Sequence, residues 1–552
     1  MFERAQTSYD TLVRVRPRDS RTGEELEYRF ADRYVLCDGQ MWRGCVLELG
    51  ELCERVEGEL QLTPVFSDFS VVLDDSDGSL ASSLLDEVWA GARVDVYVVP
   101  RECSSLSEGL RIYGGYVSMR GGVEVDGSKV RLVVEDAARK FDVEIPKLTF
   151  REYATDVLGY SEDELDIQEG KDADTVPVVF GNWQDAYGRY LVEAHLVDVG
   201  ARQLLVGCVP EGYEFDDAGG RVQVQTAYGS LNEYELVDVD LAAGTAVISG
   251  YSYSAGDRFF VRPRGLRDSS GELVENPVSV AYVLIRALAG ADSSVVDFAS
   301  MVVARWMLKR TKVRRVLRER ERLGDILAEL GMEAGFRVRS RGGVLTFHVP
   351  DWLALDEDWP RFGRAELLAF ERIAVDPDGL AAGRWVAKAL YDPRGDGFEL
   401  VMTSGEDGRY GFAGDAELEF FWLSNRKDVL NRLLSLEFLF GRHVPKVFEL
   451  KLSHAAMELA PLDGFWCEIP WLFDDAQPFL ALETSRELAS GVVSVRALWL
   501  GYVFDVGRWS ADDRPGWASS DEQDRRYWGY WTDDDGLCDP SNPDSNMSNW
   551  GP

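Results

Sequence analysis

The chain has 552 residues, of which 45% are hydrophobic and 28% are charged. That length predicts roughly three to four domains, and the composition is typical of a soluble globular protein. The 96 Asp and Glu residues outnumber the 59 Lys and Arg residues, which gives a formal net charge of −37. Because so acidic a surface repels phosphate, we expect neither general nucleic-acid binding nor attachment to an anionic membrane.

The cysteines and the apolar runs indicate where the chain is made. Seven cysteines are an odd number in a long chain, which favours reduced thiols and cytosolic synthesis. Cys37, Cys45 and Cys53 follow one another at intervals of eight residues, without any Cys-x-x-Cys pair. We interpret them as small buried residues in strands, and the alternative is a metal site. No apolar run approaches the roughly 18 residues of a membrane helix, and residues 1–6 do not resemble a signal peptide.

The sequence lacks the motifs of several common enzyme classes. Its four histidines include no pair at the i, i+4 spacing of a zinc-binding helix, and neither a Gly-x-Ser-x-Gly elbow nor a phosphate-binding Gly-rich loop occurs. Acidic residues are so abundant that no pair of carboxylates stands out as glycosidase machinery. An Asp-rich turn at 533–536 begins like a calcium loop but lacks the glycine and the glutamate needed farther on. We therefore predict no catalytic residue, no cofactor and no metal site.

Residues 1–150 favour short strands punctuated by turns. The alternating segments 13–16 and 94–98 each end near a proline, and an Asp-Gly pair at 126–127 predicts a hairpin. The run 110–116 contains two glycines and predicts a strand with either a bulge or a close approach of another part of the chain. Regular short strands of this kind predict a barrel or a sandwich.

Three further regions follow before the C-terminus. Residues 151–265 predict a small all-β insert. Residues 266–350 predict a helical segment followed by a β-hairpin that turns at the glycines 342–343. Residues 351–505 predict a second β domain with one helix near 428–439.

The helical segment carries recognisable start and stop signals. Asn276 before Pro277 is typical of a helix N-terminus, and Gly290 can end that helix. A second helix is expected after Asp297. A third is expected to stop at Gly331.

The last segment, residues 506–552, differs in composition from the rest. Counted from Asp505, it holds eleven acidic residues, four Arg, no Lys and a single Leu. Such a segment cannot build a core of its own, and tryptophans along a polar arm need pockets on another surface. We predict an extended arm that docks on its own oligomer or on a neighbouring protein, and the alternative is a disordered tail. The proposed partner-binding tryptophans are Trp509, Trp517, Trp528, Trp531 and Trp550.

A basic segment stands out in this acidic chain. Residues 305–322 hold nine Lys and Arg residues against two Glu. We interpret them as solvated on a helix face or paired with acidic neighbours. The alternatives are a docking patch for an acidic partner subunit and, third, a DNA contact. The residues selected as candidates for partner binding are Arg310, Arg314, Arg315 and Arg318.

Eight segments, taken in order, carry a resemblance to a known family. They are residues 69–78 (FSVVLDDSDG), 91–96 (GARVDV), 113–117 (YGGYV), 177–181 (PVVFG), 275–277 (ENP), 296–298 (VDF), 458–466 (ELAPLDGFW) and 531–536 (WTDDDG). Together they resemble the baseplate hub and tail tip proteins of tailed bacteriophages. The likeness spans most of the chain, although the late strand turn within 458–466 has an Asp-Gly pair where the family has Gly-Asp.

The resemblance implies a multidomain, mainly β (α+β) protein with two tube-like β-barrel or sandwich domains. It also implies a structural role in the virion, as a homotrimer at the tail tip or baseplate that is synthesised in the host cytoplasm. Its partners would be tail tube and distal tail proteins and baseplate or fibre proteins. Genomic DNA would pass the lumen without specific binding, because an acidic wall neutralises no phosphate. The alternatives are a hexameric distal tail ring, a tail-associated cell-wall hydrolase, and a glycan- or receptor-binding protein.

Overall fold

The computed structural model describes residues 9–57, 63–64, 69–184, 188–350, 359–376, 381–405, 415–441, 444–501, 508–509 and 528–529. These residues form two units. One contains the described residues within 9–350 and 382–437, and the other those within 359–381 and 438–529. The fold is mainly β with a few short helices, which confirms the predicted fold class.

A large antiparallel sheet occupies the first part of the first unit. Its strand order is β3-β4-β2-β1-β9-β10-β12-β8-β5, with β11 paired to β12, while β6 and β7 pair with each other. All neighbours are antiparallel except β2 and β4. The strands are β1 (Tyr9–Asp19), β2 (Tyr28–Ala31), β3 (Val35–Cys37), β4 (Gln40–Gly44), β5 (Val46–Leu49), β6 (Leu52–Glu57), β7 (Thr63–Pro64), β8 (Phe69–Asp74), β9 (Glu87–Pro100), β10 (Leu110–Val117), β11 (Val123–Asp126) and β12 (Lys129–Asp136).

Alternating burial explains the register of this sheet. Phe69, Val71 and Leu73 of β8 are buried, while the residues between them are partly exposed. The predicted hairpin joins β11 to β12. The predicted bulge is also confirmed, because the register of β10 on β9 shifts between Arg111 and Tyr113.

The next part of the chain contains a closed barrel, β15-β16-β20-β19-β18-β21. Two-strand pairs flank it: β13 with β24, β14 with β23, β17 with β22, and β25 with β26. The strands are β13 (Glu144–Ile145), β14 (Val178–Phe180), β15 (Val192–Asp198), β16 (Gln203–Leu205), β17 (Glu214–Asp217), β18 (Arg221–Gln225), β19 (Leu231–Asp240), β20 (Thr245–Ile248), β21 (Arg258–Val261), β22 (Arg264–Arg267), β23 (Arg315–Leu317), β24 (Glu321–Arg322), β25 (Arg337–Arg341) and β26 (Val344–His348).

Short helices join these sheets. The α-helices in the described residues are α1 (Ser79–Asp86), α2 (Phe150–Asp156), α3 (Pro277–Val283), α4 (Phe298–Met307), α5 (Leu323–Ala334) and α6 (Arg426–Leu436). Single turns of 3-10 or π-helix lie at Leu106–Glu108, Ala137–Phe141, Glu162–Glu164, Leu284–Leu288, Ser293–Val295, Glu437–Gly441 and His454–Ala456.

The predicted helix starts are confirmed. The side-chain oxygen of Asn276 accepts hydrogen bonds from the N–H groups of Val278 (3.0 Å) and Ser279 (3.3 Å), which caps α3. The carboxylate of Asp297 caps α4 in the same way. Gly290 has a φ of +83°, the left-handed conformation expected just after a helix.

Two expectations for this region were wrong. Helix α5 does not stop at Gly331 but continues to Ala334, and Gly335, with a φ of +82°, ends it. Gly331 serves packing instead, because a Cβ there would lie 2.5 Å from the carbonyl oxygen of Phe336. Nor is the segment helical throughout, since β23 and β24 interrupt it by pairing with β14 and β13.

The remaining strands divide between the two units. Within the second unit the sheet order is β27-β33-β34-β35-β32-β28, while β29, β30 and β31 belong to the first unit. The strands are β27 (Arg361–Phe362), β28 (Leu367–Val375), β29 (Arg384–Asp392), β30 (Gly397–Gly405), β31 (Asp415–Glu419), β32 (Lys446–Leu452), β33 (Gly464–Cys467), β34 (Gln477–Glu487), β35 (Val492–Trp499), β36 (Arg508–Trp509) and β37 (Trp528–Gly529).

Residues 382–437 pack with the first unit, so the predicted domain 351–505 is divided between the two. Helix α6 packs on β29, β30 and α5. The carboxylate of Glu333 in α5 is buried and accepts hydrogen bonds from the N–H groups of Phe421 (2.7 Å), Trp422 (2.7 Å) and Leu423 (3.1 Å). These contacts join residues 382–437 to the part of the first unit that precedes residue 350. No pattern in the sequence indicates them.

Candidate functional site

Helix α4 carries an exposed apolar face. Phe298 and Trp306 are 62% and 66% exposed, and Val302, Val303 and Met307 are also exposed. Their spacing places them on one continuous side of the helix. We call these five residues the α4 face.

The opposite side of α4 holds the helix on the fold. Met301 and Ala304 are buried there. The Ser300 hydroxyl accepts a hydrogen bond from the N–H of Phe347 in β26, at 3.0 Å. The α4 face is therefore presented by a helix whose position is set by its other side.

The basic segment begins at the C-terminal end of this helix. Lys309 and Arg310 are exposed there, and the Lys309 ammonium lies 5.1 Å from the centre of the Trp306 ring. Arg305 pairs with Glu272, and the Lys312 ammonium lies 2.7 Å from a carboxylate oxygen of Glu275. Positive charge thus borders the α4 face.

Three of the arginines selected from the sequence contact the interior of the same chain. The buried Arg314 guanidinium lies 4.9 Å from the centre of the Trp183 ring. Arg315 donates to Glu329 at 2.8 Å, and Arg318 donates to the carbonyl oxygen of Pro393 at 3.1 Å. Burial lowers the pKa of Arg318. These contacts connect elements of the first unit, and a role in partner binding stays a prediction.

The tryptophans of the C-terminal segment lie almost wholly beyond the described residues. Trp517, Trp531 and Trp550 fall outside them. Trp509 and Trp528 lie in β36 and β37, which pair in parallel, and the structure describes only their backbone. The Asp-rich turn at 533–536 is likewise outside the described residues.

The evenly spaced cysteines do not meet. Cys37 and Cys45 are buried, as predicted, and Cys53 is partly exposed. The Cys37 sulfur lies 3.7 Å from that of Cys103 in a hydrophobic cluster, and burial raises the pKa of Cys37 to about 12 and that of Cys45 to about 11. The described residues bring no three His, Cys, Asp or Glu side chains into an arrangement that could hold a metal ion. In the same part of the chain, no helix is long and apolar enough to cross a bilayer.

A polar cavity of about 440 Å³ opens beside the barrel. Arg258 of β21 donates to both carboxylate oxygens of Glu193, at 2.7 and 2.9 Å. Tyr251 donates to Asp257 at 2.6 Å. Apart from these paired groups, the lining is Gln168, Glu169, Lys171, His195, Tyr253 and Gly256. The cavity can accept a small polar group. Its only signal in the sequence is the i, i+2 spacing of Glu193 and His195, which places both side chains on one face of β15.

His195 is the most perturbed group of this cavity. Its ring contacts Phe150 edge-on, at 5.3 Å between centres, and its buried Nδ1 has no hydrogen-bond partner among the described residues. Burial, with the nearby charge of Lys171 next, lowers the pKa of His195 to about 4. The imidazole is therefore neutral at pH 7.

We expect His195 to make the protein less stable in mild acid. Its folded pKa of about 4 lies below the ordinary 6.5, so the unfolded chain binds more protons between these values, and stability falls as pH falls through that window. Between pH 7 and pH 5 the contribution is about 2 kcal/mol. Urea unfolding at both pH values should show that His195→Gln loses about 2 kcal/mol less than the parent. An equal loss in the His195→Gln variant would contradict the prediction.

No protein-family model and no curated protein sequence matches the chain. Among solved structures it is similar to the 43 kDa tail protein of prophage MuSo2 from Shewanella oneidensis, with 9% identity and a TM-score of 0.37, over 89% of this chain and 98% of that one. A tail protein from Neisseria meningitidis MC58 gives 9% identity and a TM-score of 0.36, over 90% and 98%. A chain of a gene transfer agent virion gives 14% and 0.34, over 64% and 90%. At these identities and TM-scores, function has to be argued from the residues.

Proposed function

We propose that this chain is a structural protein of the tail of a tailed bacteriophage. In this proposal it is a homotrimeric hub at the tail tip or baseplate, which closes the tail tube and holds baseplate or fibre proteins. It works by assembly and not by catalysis.

One observation carries the proposal: each unit contains a large, mainly antiparallel sheet, and segments that resemble hub proteins lie on its strands or lead into them. Residues 69–78, 91–96 and 113–117 fall on or directly after β8, on β9 and on β10, and β9 pairs with β10. Residues 458–466 lead into β33 of the second sheet. Two sheets in each of three copies would supply six similar walls around an axis, which suits a closed symmetric ring.

The proposal gives each region a role. The β1–β12 sheet and the β27–β35 sheet are the tube-like parts. The barrel and the C-terminal segment 506–552 are the parts that contact partners. The net charge of −37 supports a lumen through which DNA passes without binding, because no counterions are released.

The oligomeric state of the purified full-length chain tests the hub. Sedimentation should give three times the chain mass of 61.9 kDa, and electron microscopy should show a threefold ring with an open axis. A sixfold ring would overturn the hub in favour of a distal tail ring. A monomer at micromolar concentration would overturn both.

Its position in a particle is a separate test. Antibody against the chain should label one end of the tail in virions of the phage or prophage that encodes it. Label along the tail, or on the capsid, would contradict the proposal. A zymogram on bacterial cell walls should show no clearing, and clearing by the pure protein would favour the hydrolase.

A further inference from the structure

We infer that the acidic, tryptophan-rich C-terminal segment 505–552 of one copy binds the α4 face of a neighbouring copy. The inference rests on the proposed homotrimer and names the surfaces that join its copies.

The α4 face has the properties of a binding surface. Phe298 and Trp306 are both more than 60% exposed and lie at i and i+8 on one helix, with Val302 between them. Contiguous exposed apolar side chains of this kind mark interaction sites in soluble proteins. Because Met301 and Ala304 are buried on the other side of α4, the helix is already held in place. Binding at the α4 face therefore costs little conformational entropy.

The border of this face selects for negative charge. Lys309 and Arg310, which directly follow the C-terminal end of α4, are exposed and basic. The Lys309 ammonium already lies over the Trp306 ring. A partner with aromatic rings beside carboxylates would contact the α4 face through its rings and the basic residues through its carboxylates.

The C-terminal segment has this complementary chemistry. It holds five tryptophans, eleven Asp or Glu and four Arg in 48 residues, against nine basic and two acidic residues in 305–322. It has too few aliphatic residues to bury its own tryptophans. Fully extended, 48 residues reach about 150 Å, which is ample to cross from one copy to the next.

Binding to a neighbour, in a ring, follows from the difference between the two surfaces. The α4 face and the C-terminal segment are different surfaces of the same chain, so their pairing is a head-to-tail interface. Such an interface closes into a ring when the rotation from one copy to the next allows it. Each copy then gives one arm and receives one. The ring gains three such contacts without any change in the sheets.

Cysteine cross-linking in the assembled full-length protein tests the inference. Two populations with different tags are co-expressed, both with Cys53→Ser, Cys208→Ser and Cys538→Ser, which removes the partly exposed native thiols and the native thiol of the arm. One carries Ala299→Cys, an exposed position within the α4 face, and the other carries Ser510→Cys or Ala518→Cys, each next to a tryptophan of the arm. A short bismaleimide should join the two tags. Leu36→Cys, 62% exposed in β3 and also apolar, replaces Ala299→Cys as the control and should give about tenfold less product.

The outcomes separate this inference from the hub itself. Adding Phe298→Ser and Trp306→Ser to the Ala299→Cys chain should lower the cross-link yield about tenfold, and both side chains are exposed, so the fold is kept. A trimer by mass without cross-links between tags would overturn the inference and leave the hub standing. A monomer by mass would overturn both.

Discussion

Replacing Glu333 with alanine should lower the free energy of unfolding of the first unit by about 3–5 kcal/mol. The carboxylate is 1% exposed and accepts three backbone N–H groups, from Phe421, Trp422 and Leu423. Its removal leaves those donors without an acceptor, and each unsatisfied buried donor costs about 1–3 kcal/mol. Burial raises the pKa of Glu333, and the three backbone N–H donors, which favour the ionised carboxylate, oppose that rise.

Urea unfolding followed by circular dichroism measures this loss. Glu333→Gln keeps one accepting oxygen and should lose less than the alanine variant. Asp325→Ala, an exposed change on the same helix, should stay within about 0.5 kcal/mol of the parent. If Glu333→Ala were as stable as Asp325→Ala, the carboxylate would not be what ties α5 to residues 421–423.

Replacing Gly181 with alanine should cost about 3 kcal/mol or more. Gly181 has a φ of +75°, and an added Cβ would lie 2.8 Å from the Cα of Arg314 and still closer to the carbonyl oxygen of Val313. Both atoms belong to the backbone of the segment that leads directly into β23, so they cannot move away as a flexible side chain could. The change would separate β14 from β23.

Gly170 provides a matched control for this substitution. Its φ is +74°, but nothing lies within 4 Å of an added Cβ. Gly170→Ala should therefore show only the cost of the left-handed conformation, about 1 kcal/mol. Equal midpoints of urea unfolding for the two variants would mean that the strand pair can relax around the extra methyl group.

Local patterns were enough to predict several elements. The Asp-Gly hairpin after β11 and the cap at Asn276 each depend on residues close in sequence. The prediction that α5 ends at Gly331 was wrong because a glycine inside a helix and a glycine that ends one look alike in a sequence. Only the structure shows that the carbonyl oxygen of Phe336 lies too close to Gly331 for a Cβ. Local signals therefore give elements, and packing decides their ends.

The α4 face could not be predicted in the same way. The apolar residues of this helix lie on both sides, with Met301 and Ala304 on one and Phe298 and Trp306 on the other. A helix that is apolar all round reads as a core helix, and only tertiary packing shows which side is covered. For a related reason, the sequence did not show that residues 382–437 pack with the first unit. That packing depends on contacts between positions far apart in sequence, such as Glu333 and Trp422.

The division of the first unit has a consequence for biosynthesis. Phe180 and Trp422 are ring neighbours, 6.2 Å between centres, although more than two hundred residues separate them. On the ribosome, strand β14 and helix α5 emerge long before their partners in 415–436, and their buried groups stay uncovered meanwhile. Translation that halts after residue 350 would release a fragment in which Glu333 and Phe180 lack their partners around Trp422, and such a fragment is a substrate for chaperones and proteases.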